Sequence, residues 1–180
     1  MATATLGGSL SANDAARSVF ITGVKNAHAM EKEARQILSR QLERLSNYPE
    51  MEALVRRHLE ETNGHEQRMD EILDALGEDR SVLKDWATQI MGNVAAIAHV
   101  PMGDEILKNT FANHAFENFE VAAYKSLVTM AEVVGETRFV TALQQNLRED
   151  EKAAQMIKDQ VEPITRKYLA RIAAGEKADR

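Results

Sequence analysis

Apolar residues recur along this chain at alternating three- and four-residue spacing, the period of one helix face. The first stripe is Phe20, Val24, Ala27, Glu31, Ala34, Leu38, Gln41, Leu45. The second is Met51, Val55, His58, Thr62, His65, Met69, Ile72, Leu76. A third is Ile106, Thr110, Asn113, Glu117, Glu120, Tyr124, Leu127, Ala131, Val134, and a fourth is Val140, Leu143, Leu147, Asp150, Ala154, Ile157, Val161. Strand-like alternation is almost absent. Each stripe is apolar toward its ends and polar near its middle.

The boundaries follow from caps and prolines. The first helix begins with Asn13 or Asp14 as N-cap and runs to about Ser46. Asn47 and Tyr48 make a turn, and Pro49 sits in the first turn of the second helix, where its missing N–H costs nothing. That helix ends near Leu76, with Gly77 as its C-cap. A shorter helix is predicted from Ser81 to about His99, carrying the lone Trp86 and broken by Pro101 and Gly103. The third long helix runs from about Asp104 to Val134, closed by Gly135. The fourth starts near Thr137 and reaches Val161 or beyond, where Pro163 kinks it or starts a further helix ending near Gly175.

The expected fold is all-α: a ferritin-like four-helix bundle of two antiparallel hairpins, with a short crossover helix and an extra C-terminal helical segment. Residues 14–174 form the bundle, between flexible tails at 1–13 and 175–180.

Composition narrows the function. A chain of 180 residues with 44% hydrophobic residues supports one real core. A net charge of −6 argues against a nucleic-acid binder, which would need a basic surface. There is no cysteine, which excludes disulfides, thiol catalysis and thiolate metal sites. The stretch Met1 to Asp14 lacks the apolar centre of a signal peptide, and no apolar run approaches ~20 residues. A soluble cytoplasmic protein with no membrane contact is expected. No P-loop, GxGxxG, HExxH or nucleophile elbow is present.

The polar stripe centres carry the candidate chemistry. A buried, unpaired carboxylate costs several kcal/mol or more, so such groups are protonated, paired or bound to metal. Dinuclear iron and manganese bundles need one Glu from each of two helices and a Glu–His pair from each of the others. Here the first helix supplies Glu31 and the third supplies Glu117 and Glu120. On the second, Glu61 lies three after His58 and four before His65, so all three share a face. The fourth offers Glu149 and Asp150 but no histidine. Reflected through its hairpin turn, Glu31 stands at the level of Glu61 and His65, and Glu120 at that of Glu149 and Asp150.

The candidate ligands are therefore Glu31, Glu61, His65, Glu117, Glu120 and Asp150, holding two ions of Fe or Mn, with Zn also admissible. Analogy gives bridging roles to Glu61 and Glu120. His58 and Tyr124 stand behind the ligands, Tyr124 as core packing with a hydrogen bond to one of them. His28 and His114 fall outside the site. Gly64, in mid-helix, marks either close packing, a bulge or a harmless exposed position. The competing reading is a structural or interaction bundle whose acids are protonated or paired and which holds no metal.

These residues resemble a known family, the bacterial ferritin-like stress proteins of the YciE/YciF type. The matching pieces are Ala29-Met30-Glu31-Lys32, then His58-Leu59-Glu60-Glu61-Thr62 with Gly64 and Arg68. The third helix matches with Glu117-Asn118-Phe119-Glu120-Val121-Ala122-Ala123-Tyr124, and the fourth with Leu147, Glu149 and Asp150. The resemblance implies a ferritin-like fold, a homodimer and a dinuclear metal site, and adds Glu149 to the candidate ligands. His65 and Asp150 stand where the family pattern usually has glutamine and glutamate. The shorter aspartate makes the fourth helix the weakest expected contributor.

Overall fold

A computed structural model describes residues 12–80 and 103–179. The described residues form four long helices: α1 (Ala12–Leu42), α2 (Pro49–Leu76), α3 (Glu105–Val133) and α4 (Val140–Ala173). One 3-10 turn, Thr137–Phe139, leads into α4. No strand occurs among the described residues. The predicted crossover helix with Trp86, and residues 1–11 of the N-terminal tail, lie outside the described residues.

Local chemistry sets the helix ends. Pro49 opens α2, and Gly77 closes it in the left-handed region at φ 70°. The Gly77 N–H bonds Asp74 O, and the Glu78 N–H reaches back to Leu73 O at 3.0 Å, which satisfies carbonyls the helix end would orphan. α1 stops at Leu42, short of the predicted Ser46. Two tight turns follow, Arg44 N–H to Gln41 O and Tyr48 N–H to Leu45 O. They drop Leu45 and Tyr48 into the core, a gain in burial that outweighs another helical turn.

α4 runs unbroken through Pro163. Just beyond it, the Thr165 hydroxyl donates to Val161 O at 2.7 Å. The extra C-terminal segment is thus the last third of α4, anchored by buried Ile164. The chain end, expected as a frayed tail, packs back on the bundle. Tyr48 Oη donates to Ala178 O at 2.7 Å, and the Ile106 N–H bonds Asp179 O at 3.1 Å.

Contacts fix the topology. At one end, Arg44 of the α1–α2 connection pairs with Glu105 at the start of α3. At the other, Arg17 pairs with Glu136 and Lys25 with Glu78, joining the start of α1 to the α3–α4 turn and the end of α2. α3 therefore runs parallel to α2. Each hairpin is antiparallel, and α1 packs on α3 while α2 packs on α4. This is the all-α architecture expected.

Two apolar cores result. One holds Phe20, Val24, Met69, Leu73, Leu127 and Leu143 toward the α3–α4 turn. The other holds Leu38, Tyr48, Met51, Ile106, Ile157 and Ile164 toward the α1–α2 turn. The polar stripe centres meet between them. Among the described residues, no helix is long and apolar enough to cross a membrane.

Candidate metal centre

Each helix contributes from its middle. Glu31 comes from α1, His58 and His65 from α2, Glu117 and Glu120 from α3, and Asp150 from α4. His58 and His65 are seven residues apart, two helical turns, so both imidazoles enter the same interior space. None of the six residues is more than 2% exposed. His58 Nε2 lies 2.9 Å from Glu117 Oε1. His65 Nδ1 lies 3.4 Å from both Glu31 Oε2 and Asp150 Oδ1. The two imidazole centroids are 6.3 Å apart.

The donors form two overlapping groups. Ligand-type atoms of His58, Glu117, Glu120 and Asp150 all lie within 4.8 Å of one another, and those of Glu31, His65 and Asp150 do likewise. Asp150 belongs to both. Among the described residues, eleven buried side-chain N and O atoms lack a well-formed hydrogen bond, and seven of them converge here, His58 Nε2 among them although Glu117 Oε1 lies within ion-pair distance. They are Glu31 Oε2, His58 Nε2, His65 Nδ1, Glu117 Oε2, Glu120 Oε1 and both carboxyl oxygens of Asp150. Native interiors rarely leave such atoms unsatisfied. The set fits a divalent cation: oxygen and imidazole donors, inward-facing, with lone pairs unused. Ionised, four carboxyls carry the charge that two divalent cations neutralise.

The electrostatics are those of a crowded acid pocket. Burial pushes Glu120 well above the carboxyl range, and Glu31, Asp150 and Glu117 push it further. Burial also raises Asp150 well up, with Glu31 and Glu117 adding to it and His65 and His58 opposing. Burial alone would lower His58, but Glu117, Glu61 and Asp150 outweigh it and raise it to about 10. In the same way burial opposes His65, and Glu149, Glu31 and Asp150 carry it up to about 9.

Behind the donors stands an outer layer of partners. Glu61 Oε2 lies 3.4 Å from His58 Nδ1, and Glu149 Oε2 lies 2.9 Å from His65 Nε2. Each histidine thus turns one nitrogen to the cluster and the other to a carboxylate, the arrangement that fixes tautomer and ring orientation at metal sites. Tyr124 Oη donates to Glu31 Oε1 at 2.5 Å and accepts from Asn146 Nδ2 at 2.8 Å. Burial, with Glu31 and Asp150 nearby, holds the Tyr124 phenol well above its ordinary range.

The structure therefore sorts the candidates differently from the sequence in three places. Glu61 and Glu149, expected as ligands, lie outside the inward groups, each behind a histidine and partly exposed. His58, expected behind the ligands, is in the cluster. Asp150, expected as the weakest corner, is fully buried and shared by both groups, the place that analogy gave to Glu61 and Glu120. The reason is helix phase. His58 and His65 point inward together, which turns Glu61 toward the α2 edge, and Asp150 holds the inner face of α4 so that Glu149 falls at its rim. Glu31, His58, His65, Glu117, Glu120 and Asp150 all lie on the stripes as read from the sequence; what changed is the role expected of His58 and Asp150.

Two residues were given no role at the site from the sequence, Asn146, which was not singled out, and Arg68, which entered only as a matching position of the resemblance. Asn146 lies four before Asp150 and three after Leu143, on the same face, a position the stripe gave to Leu147. His28 pairs with Asp70 at 2.9 Å, outside the cluster.

Comparison with known proteins agrees with this architecture. A family model described as "Domain of unknown function (DUF892)" matches residues 15–170. Protein YciF of Escherichia coli K12 is 28% identical over 146 residues, covering 75% of this chain and 82% of that protein. A crystal structure of a Xanthomonas campestris protein superposes with a TM-score of 0.74 at 25% identity, over 88% of this chain and 99% of the other. The crystal structure of the E. coli stress protein YciF gives a TM-score of 0.69 at 22% identity, over 81% and 94%.

Proposed function

The chain belongs to the DUF892 family, and from that premise we propose that it is a metal-binding ferritin-like protein whose four helices hold two divalent cations at mid-bundle. The observation that carries this is the convergence of seven unsatisfied buried donor atoms from all four helices. Glu31, His65 and Asp150 would hold one ion, and His58, Glu117, Glu120 and Asp150 the other. Oxygen-rich donors with one imidazole per ion suit Fe(II) or Mn(II), and Zn(II) is compatible with the same atoms. Bound iron or manganese would supply one-electron chemistry toward oxygen or peroxide, in keeping with the description of the E. coli relative as a stress protein. The chain's own part is to exclude water with an apolar core on either side, to orient the imidazoles through Glu61 and Glu149, and to keep the Tyr124 hydroxyl donating to Glu31 Oε1.

A second reading, a structural bundle without metal, draws on the pairing of His58 with Glu117 and of His65 with Glu149. Metal content separates the two. Protein purified without chelator should carry two Fe or Mn per chain by elemental analysis. Stripped protein should gain thermal stability on adding Fe(II) anaerobically or Mn(II), because an ion that binds only the folded state must raise its stability. No bound metal and no thermal shift would leave the structural reading standing.

A further inference from the structure

The two halves of the centre are built unequally. One half has four protein donors, His58, Glu117, Glu120 and Asp150; the other has three, Glu31, His65 and Asp150. Around the three-donor half a ring of side chains closes. The Arg68 guanidinium donates to both Asn146 Oδ1 and Glu149 Oε2. Asn146 donates to Tyr124, and Tyr124 donates to Glu31. Glu31 and Glu149 then meet the two nitrogens of the same His65 ring. Arg68 and His65 thus close the ring at its two ends, and Arg68 is the one that stands outside the three-donor group. Around the four-donor half, Glu61 stands behind His58 and belongs to no such ring.

We propose that the two ions bind with unequal affinity, the four-donor half the tighter, and that Arg68 is a positioning residue for the three-donor half alone. This rests on the metal reading above and adds a division of labour to it. With fewer donors, the weaker half depends more on ligands held in place beforehand. Arg68 holds both its terminal donors from a distance. Its planar fork orders Glu149 on His65 and Asn146 on Tyr124 together, in a fixed geometry that a freely rotating ammonium does not impose. Removing it frees the Glu31 carboxylate and the His65 ring in one step.

The test is calorimetric titration of the stripped, full-length chain with Mn(II). The wild type should take up two ions with resolvable affinities. Arg68→Met should weaken the weaker ion about 10- to 100-fold, the cost typical of losing an outer-layer partner, and leave the tighter one unchanged. Arg68→Lys keeps the charge at this partly exposed position and secures a folded comparison; it should weaken the same ion by about 10-fold or more. Glu61→Gln should move the tighter ion instead. In the metal-free variants, 15N spectra of the imidazoles should shift for His65 and not for His58. Equal weakening of both ions by the Arg68 variants, or two indistinguishable ions in the wild type, would overturn the division while leaving two-ion binding intact. A wild type that takes up no Mn(II) overturns the metal reading and this one with it.

Discussion

Glu120 has an unsatisfied oxygen inside the bundle and three other acids around it. In the folded, metal-free protein its proton affinity is raised, whereas in the unfolded chain it ionises near 4.5. Folding above that pH must therefore return a proton to it, at a cost that grows with pH. Glu120→Gln removes the cost. In metal-free protein the variant should be more stable than wild type by on the order of 1–3 kcal/mol at about pH 8, with little difference near pH 4. With Mn(II) present the order should reverse, because Gln offers no charge to the ion. Denaturant melts of both proteins, with and without metal, check this.

The other titrating residues of the cluster act in the same direction. His58 and His65, raised to about 10 and about 9, contribute stability that is complete below about 6.5 and is lost as pH rises through those values. Asp150, a raised acid, adds a cost as the unfolded chain ionises above its ordinary value. Glu149 is the exception. Burial opposes it, but His65, Gln145 and Arg68 hold it down to about 2, so its contribution is lost as pH falls from about 4.5 toward 2. Metal-free protein should therefore show a melting temperature that falls steadily between about pH 6 and about pH 10. Bound metal should flatten or invert that slope, because the ligands must shed protons to bind. A metal-free melting temperature that rises across this range would contradict the charge assignment.

At the scale of the helices, two mid-helix glycines give opposite forecasts. A Cβ on Gly64 would sit 3.4 Å from Arg68 Nη1, an ordinary contact, and α2 continues through it without a bulge. Gly64→Ala should raise stability by up to about 1 kcal/mol through helix propensity. A Cβ on Gly23 would lie 2.8 Å from Leu127 Cδ2, where α1 meets α3. Leu127 is buried, so Gly23→Ala should lower stability by about 1–2 kcal/mol as an overpacked contact. Thermal melts of the two single variants distinguish the cases.

The same helices show what a sequence discloses. Long stripes at helical spacing, with Pro49 and Gly77 as punctuation, were enough to place all four helices and their hairpins. Glu31, His65, Glu117 and Glu120 were legible because a polar residue inside an apolar stripe has few physical explanations. The stripes also ran through His58 and Asp150 and passed by Glu61 and Glu149, yet they could not say which of each pair would serve the site. Neighbours three apart, or adjacent at a stripe's edge, differ by a rotation of the helix that only packing against the other hairpin decides. Arg68 and Asn146 were hidden for a related reason. Their role comes from partners on other helices, 78 residues apart in the case of their own hydrogen bond.

As a whole, the molecule is two apolar cores separated by a layer of charge. The apolar ends hold the helices in register and keep water from the middle. The middle must then balance its charge internally, with protons when empty and with cations when filled. Two divalent ions would neutralise four ionised carboxyls, and His58, His65, Glu120 and Asp150, whose proton affinities are all raised, are where protons would be given up. Metal uptake, as proposed, would thus be coupled to proton release. Calorimetric titration of stripped protein with Mn(II), repeated at about pH 7 in buffers of different ionisation enthalpy, measures both together. Two ions per chain with a net release of protons is the predicted result. Uptake without proton release, or no uptake at all, would contradict a buried dinuclear centre in this bundle.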